Sequence, residues 1–100
     1  MNSPSPVEPS RCARKRDKAR IFYDILTSII GHEKEEGRVG ITRIQTEVNL
    51  PSDRLRTHII EMSGLGLIQY GKGLTCTEKG RLYVVEYRRI IATLEQFGVL

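Results

Sequence analysis

Apolar residues recur at helical spacing in the first third of the chain. Phe22, Ile25, Leu26 and Ile29 stand at positions i, i+3, i+4 and i+7, which places them on one face of a helix. The pattern becomes helical from about residue 14, and Gly31 is expected to close it. The polar, acidic segment 32–38 predicts an exposed loop that leads into a short strand over 39–41.

Two further helices are predicted on either side of a sharp turn. Thr42 and Gln45 match a capping box, in which each side chain satisfies a backbone N–H of the first helical turn. Ile44 and Val48 then share one face of this short helix. Pro51 lacks an N–H and disfavours helical backbone at the residue before it, so one helix ends and the next begins around it.

The helix after Pro51 is predicted to be amphipathic. Leu55, Ile59 and Met62 repeat at i, i+4 and i+7 and indicate a buried stripe. The polar residues that project away from this stripe, and are therefore available to a ligand, are Arg54, Arg56, Thr57 and Glu61.

A small β-hairpin is predicted next. Gly64 and Gly66 stop the helix, residues 67–70 are strand-like, and residues 71–73 form a tight loop. Residues 74–77 alternate apolar with hydroxyl side chains and predict the second strand. The strand over 39–41 is expected to pair with this hairpin.

The last quarter of the chain predicts one long helix, from an N-cap at Thr77 to about Gln96. At roughly 30 Å it would outreach the domain from which it starts. Leu82 and Val85 are expected to pack back onto the domain. A second stripe has the 4, 3, 4, 3 spacing of a coiled coil: Tyr83, Tyr87, Ile90, Leu94 and Phe97. We interpret this stripe as a homodimer interface to which the first helix adds; the alternative is that it folds back onto the first helix.

Two motifs carry a resemblance to a known family: Gly-Leu-Ile-Gln-Tyr at 66–70 and Leu-Thr-Cys-Thr-Glu-Lys-Gly at 74–80. They resemble small archaeal winged helix-turn-helix proteins, a group that includes transcriptional regulators and a dimeric chromatin protein, over roughly residues 18–97. Leu74 stands where the family usually has Tyr, and Cys76 where it usually has Leu. The resemblance implies a mainly α fold with a small β-hairpin, the wing, and a long C-terminal helix through which members commonly pair.

Length and charge set the organisation of the chain. One hundred residues form one small domain with a single core. The net charge of +4 is concentrated at one end, since residues 1–20 hold six basic and two acidic residues whereas residues 21–100 hold ten of each. We divide the chain into a disordered basic arm (1–13), a winged helix-turn-helix domain (14–76) and a C-terminal dimerisation helix (77–100). The arm is expected to contact phosphates, the alternative being a solvated tail.

Nothing in the sequence indicates catalysis. His32 and His58 have no Cys, Ser or carboxylate at the spacing of a triad or metal site, and residues 71–73 are no phosphate-binding loop. Cys12 and Cys76 are interpreted as free thiols, with an intermolecular disulfide through Cys12 left open. We expect no enzyme activity, no cofactor and no metal. Without a spanning apolar run or a signal peptide, we expect no membrane partner and a cytoplasmic, nucleoid-associated protein.

The resemblance and the basic residues together predict a DNA-binding surface. The helix after Pro51 would lie in the major groove, where Arg54 and Arg56 each either bind guanine or contact a phosphate. Thr57 suits a thymine methyl group or a phosphate. The other expected contacts are Thr42, Arg43, Ser52, Tyr70, Lys72, Arg14, Lys15 and Arg16. The three glutamates of 32–38 favour a position away from this surface or at its margin.

We therefore predict a homodimer that binds double-stranded DNA with sequence specificity, as a transcriptional regulator. One alternative is an architectural protein that coats DNA with low sequence preference, which suits the basic arm. Another is a winged-helix module that binds other proteins, and RNA binding also stays open.

Overall fold

A computed structural model describes residues 16–100 of the protein. The elements, in chain order, are α1 (Lys18–Glu36), α2 (Ile41–Val48), α3 (Ser52–Gly64), β1 (Ile68–Tyr70), β2 (Leu74–Cys76) and α4 (Glu78–Gln96). The predicted fold class, mainly α with a small β-hairpin and a long C-terminal helix, is confirmed. None of the helices in the described part of the chain has the length and apolar character needed to cross a bilayer.

The first helix begins and ends later than its sequence pattern predicts, at Lys18 rather than at about residue 14 and at Glu36 rather than before Gly31. The Asp17 side chain caps α1 by accepting a hydrogen bond from the backbone N–H of Arg20. The helix then runs through Gly31 and ends at Gly37, whose φ of 80° suits a helix terminus. The loop predicted over 32–38 is therefore wrong for residues 32–36, because an interior glycine costs a helix only about 1 kcal/mol.

The start of α2 also differs from the prediction. Gly40 is its N-cap and no side chain caps the helix, so the capping box between Thr42 and Gln45 does not form. The helix begins at Ile41, two residues earlier than a cap at Thr42 requires, so the Thr42 hydroxyl lies inside the first turn and does not cap it. The strand predicted over 39–41 is reduced to a single antiparallel bridge between Val39 and Leu74.

The turn between α2 and α3 forms as the sequence predicts. Asn49 adopts the left-handed conformation with φ of 59°, and its N–H bonds to the carbonyl of Gln45. Pro51, in extended backbone, is the N-cap of α3. This short turn joins α2 to α3, the order of elements in a helix-turn-helix.

The hairpin pairs β1 and β2 antiparallel, with Tyr70 opposite Leu74 and Ile68 opposite Cys76. A hydrogen bond from the N–H of Gly71 to the carbonyl of Gly73 closes the loop. Because Val39 bonds to the other edge of Leu74, β2 is the middle of a small three-part sheet. The hairpin thereby rests on the helical core and projects its loop outward.

One core holds these elements together. The predicted stripes on α1 and α3 are buried, with Ile25, Leu26, Leu55, Ile59 and Met62 fully inaccessible to solvent. The wing contributes Ile68 and Leu74, the turns contribute Val39 and Leu50, and α4 contributes Val84. Burial of these side chains supplies the main free energy of folding.

Helix α4 begins where predicted, since the Thr77 hydroxyl accepts a hydrogen bond from the N–H of Gly80. Its rotation differs from the prediction. Val84 faces the core, whereas Leu82 and Val85, which were expected to pack there, are 58% and 50% exposed. Gly80 causes the difference, because its lack of a side chain lets this turn of α4 press directly against the hairpin and α1.

Candidate nucleic-acid interface

Helix α3 presents a polar face to solvent. Its buried stripe fixes its rotation, so Arg54, Arg56 and Thr57 are exposed. Within residues 16–100, neither arginine forms an ion pair. Both guanidinium groups keep their donors and their charge for a ligand.

The middle of this face is apolar. The Thr57 hydroxyl donates to the carbonyl of Asp53 at 3.0 Å, a bond within the helix. One turn further on, Ile60 is 69% exposed. Ile60 was not among the predicted contacts, although its place outside the buried stripe of Leu55, Ile59 and Met62 was the signal that could have identified it.

The amino end of α3 adds hydrogen-bond donors. Pro51 provides no side-chain cap, so the first N–H groups of the helix and the exposed Ser52 point to solvent. Asp53 in this first turn complements the helix dipole but would oppose a phosphate placed beside it. An anion is therefore favoured next to Ser52 rather than next to Asp53.

The wing carries the predicted Tyr70 and Lys72, both exposed. It also holds a cation that the sequence analysis missed: the Arg38 side chain lies against Gly73, where an added Cβ would be 3.0 Å from the Arg38 Cγ. A depression of about 810 Å³ runs along this outer face to Ser63 at the end of α3. Arg38 reaches the wing because Val39 pairs with β2, a contact distant in sequence.

Thr42 and Arg43 lie on the exposed side of α2, near acidic groups. Arg43 donates to Glu36 at 2.8 Å, which neutralises part of its charge. Glu47 lies beside them, and hydrogen bonds from Ser28 and then from His32 hold the pKa of its carboxyl below the usual range. This surface of α2 is thus less cationic than the sequence prediction requires.

Arg16 has an internal role. Its guanidinium donates to Asp24 at 2.7 Å and to the carbonyl of Val48 at 2.8 Å, joining the start of α1 to the end of α2. The other two contacts predicted near the amino end, Arg14 and Lys15, lie outside the described residues.

The predicted dimer stripe divides into two halves. The Tyr83 hydroxyl donates to the carbonyl of Ala19, and the Tyr87 ring stacks on Tyr23 with a centroid distance of 4.7 Å. Both tyrosines therefore pack on α1 of their own chain. The other half remains in solvent, with exposed fractions of 55% at Ile90, 36% at Leu94 and 77% at Phe97.

His58 lies at the edge of the α3 surface. Its ring packs edge-on against Phe22, and its Nδ1 atom is buried without a hydrogen-bond partner in the described structure. Burial, and secondarily the charge of Arg54, holds the pKa of His58 below its usual 6.5. The side chain is consequently neutral at pH 7.

This pKa predicts an acid sensitivity of the fold. Below about pH 6.5 the unfolded chain binds a proton at His58 that the folded chain binds only at lower pH, so the free energy of unfolding falls as pH is lowered. His58→Phe keeps the aromatic contact with Phe22 and should flatten this dependence. Urea unfolding of both proteins between pH 5 and 7.5 measures it. Parallel curves for the two proteins would contradict the assignment.

Two remaining groups bear on metal and redox chemistry. The prediction that His32 has no carboxylate at the spacing of a metal site is wrong, because helix α1 runs on past Gly31 and brings possible ligand atoms of His32, Glu35 and Glu36 within 4.8 Å of one another. Glu36 is already bound by Arg43. The Cys76 thiol is half-buried, and burial raises its pKa to about 11. A thiol of this kind is unreactive at neutral pH.

A comparison with protein-family models matches residues 15–95 to a winged helix-turn-helix family. Proteins of this family typically bind DNA and are not enzymes. A search of curated proteins finds no match to the chain. The matched range includes the helix-turn-helix, the wing and nearly all of α4.

Proposed function

This chain belongs to the winged helix-turn-helix family, and we propose that it binds double-stranded DNA with sequence specificity, as a homodimeric transcriptional regulator. The family indicates DNA binding; the specificity rests on α3. The main observation that supports this proposal is that Arg54 and Arg56 lie on the exposed face of α3 without an acidic partner in residues 16–100. In this fold, that face is the one that enters the major groove.

Other residues would contact the phosphates on either side of the groove. Ser52 and the free N–H groups beside it suit one strand, and Lys72, Tyr70 and Arg38 on the wing suit the flanking backbone. Thr42 would contact a phosphate at the margin of the DNA-binding surface. Arg43 contributes less than an unpaired arginine, because Glu36 already binds it.

The basic arm and the basic residues that follow it, up to residue 20, are proposed to add affinity without specificity. Residues 1–20 carry the whole net charge of the protein, and each phosphate they neutralise releases a counterion. Arg14 and Lys15 belong to this contribution. Arg16 is omitted from it, since Asp24 and the carbonyl of Val48 already use its donors.

We propose that the homodimer forms through the exposed half of the α4 stripe. Ile90, Leu94 and Phe97 form an apolar strip that α1 of the same chain leaves uncovered. A two-fold pair of such helices would present two copies of α3 to two half-sites. With DNA as its partner, the protein would be cytoplasmic and nucleoid-associated.

The charge distribution favours a second candidate, an architectural protein with low sequence preference. The positive charge of residues 1–20 attracts phosphates whatever the DNA sequence, whereas residues 21–100 are neutral overall. Selection of bound duplexes from a random pool at physiological salt separates the two functions. A palindromic consensus supports the regulator, and a pool without enrichment supports the architectural protein.

Arg56→Ala tests base recognition by α3. If Arg56 binds a guanine, the variant should lose roughly 5- to 150-fold in affinity for the selected duplex, which corresponds to about 1–3 kcal/mol per bidentate contact. Its affinity for random duplex should change little. Fluorescence anisotropy with both duplexes measures the two effects.

Lys34→Ala is the matched control, because it removes the same charge from an exposed position in the last turn of α1. It should leave both affinities near those of the wild type. Equal losses on selected and random duplex for Arg56→Ala would reassign Arg56 to a phosphate.

A further inference from the structure

The exposed face of α3 has an apolar part that follows its two arginines along the helix. Ile60 is 69% exposed, and it follows Thr57 by three residues, one turn along the same face. Because the Thr57 hydroxyl donates to the carbonyl of Asp53, it is already satisfied within the helix. The methyl groups of Thr57 and Ile60 are therefore what this part of α3 offers to a ligand.

A single exposed isoleucine is common on protein surfaces and needs a reason to be assigned a role. Here the reason is its surroundings. Ile60 shares the exposed side of α3 with Arg54 and Arg56, whose charge has no acidic partner in the described residues and therefore suits a polyanion. An isoleucine cannot bind a phosphate, so its partner on such a ligand must be apolar.

The major groove of DNA offers one apolar group, the C5-methyl group of thymine. We propose that Ile60, together with the methyl group of Thr57, recognises thymine methyl groups and makes the protein prefer A·T pairs at the centre of each half-site. The inference rests on the proposed DNA binding and deepens it, because it names what α3 recognises.

The spacing of the two side chains fits this ligand. Three residues of an α-helix rise about 4.5 Å along its axis, close to the roughly 3.4 Å between successive bases of one strand. Thr57 and Ile60 can thus face neighbouring base steps. Arg54 and Arg56 precede them on the helix, so each half-site would combine guanine or phosphate contacts with an adjacent thymine step.

The test removes only the methyl groups. The highest-affinity duplex from the random-pool selection is made once with thymine and once with deoxyuridine, which keeps all hydrogen-bonding groups. Wild-type protein should bind the deoxyuridine duplex about fourfold more weakly for each contacted thymine, the effect expected for burying one methyl group. Anisotropy titration at one salt concentration gives the ratio.

Ile60→Ala should reduce this thymine preference to that of Thr57 alone, and Ile60→Ala with Thr57→Ser should abolish it. Alanine is a strong helix former and Ile60 is exposed, so the fold should persist in the single variant. Leu82→Ala is the matched control, since it removes an exposed aliphatic side chain from α4 and should keep the full preference.

The outcomes separate the inference from the function on which it rests. Failure to bind any duplex would overturn the proposed function. Binding with equal affinity for thymine and deoxyuridine would overturn the inference and leave DNA binding intact. A thymine preference that survives in Ile60→Ala unchanged would also overturn it, because the methyl groups would then be recognised elsewhere.

Discussion

Gly80→Ala is expected to destabilise the protein by roughly 2–3 kcal/mol, the upper part of the range for overpacking a close-packed core. A Cβ at this position would lie 2.3 Å from the carbonyl oxygen of Leu67, 2.7 Å from the Cys76 Sγ and 3.1 Å from the Leu26 Cδ2. The carbonyl of Leu67 cannot simply move away, because it accepts the N–H of Thr77 at 3.1 Å. Relief therefore requires α4 to shift from the hairpin.

Gly31→Ala is the matched control for this substitution. Gly31 is also helical, but a Cβ there would meet nothing within 4 Å. Alanine should stabilise α1 by about 0.5–1 kcal/mol, because it is the better helix former. Thermal and urea unfolding should thus show shifts of opposite sign for the two variants, and a Gly80→Ala protein as stable as the wild type would contradict the close packing of α4.

Gly80 also shows why the rotation of α4 could not be predicted from the sequence. Local signals predicted the stripes of α1 and α3, the break at Pro51 and the cap at Thr77, because each depends on residues within one or two helical turns. The rotation of α4 depends on which of its residues meets Leu67 and Leu26, which are distant in sequence. The sequence pattern therefore predicted Leu82 and Val85 in the core, whereas Val84 is the residue that is buried there.

The end of α1 was predicted wrongly for the same reason. The last turn of α1 is held by contacts with distant elements: Glu33 accepts from Arg81 and from the backbone N–H of Cys76, and Glu36 accepts from Arg43. The sequence showed only a polar, acidic segment after a glycine, which is typical of a loop. Long-range ion pairs of this kind leave no periodic trace in the chain.

The candidate site was predictable to a similar extent. The family resemblance identified α3 and the wing, and the amphipathic pattern then selected Arg54, Arg56 and Thr57. Arg38 was not predicted as a contact because only the bridge between Val39 and Leu74 brings it to the wing. Conversely, the charge of Arg16 suggested a phosphate contact, but its partners Asp24 and Val48 lie in parts of the chain that no local pattern connects to it.

The variant Ile90→Glu with Leu94→Glu is expected to separate the proposed dimer. Both side chains belong to the part of the α4 stripe that α1 leaves exposed. Two carboxylates there are harmless in a monomer but would be buried next to apolar groups in a dimer, where an unpaired charge is strongly unfavourable. Sedimentation equilibrium at about 10 μM should show a dimer for the wild type and a monomer for the variant, a concentration at which dimers of micromolar affinity persist.

The same variant should bind a palindromic duplex roughly 100-fold more weakly, because the two half-sites are no longer engaged by one linked protein. The monomer should stay folded, since Tyr83, Val84 and Tyr87 fix the first half of α4 to the domain. Far-ultraviolet circular dichroism and binding to a single half-site check that it does.

Leu82→Glu with Val85→Glu is the matched control for this last prediction. It adds the same two charges to α4 at residues that are at least as exposed, but outside the 4, 3, 4, 3 stripe. If the stripe forms the dimer, this control sediments as a dimer and keeps its affinity for the palindrome. A wild-type protein that sediments as a monomer would refute the interface, and so would a control that dissociates as readily as the stripe variant. Either result would leave Ile90, Leu94 and Phe97 as an exposed extension of the helix, and the DNA-binding unit would then be a single domain that recognises one half-site.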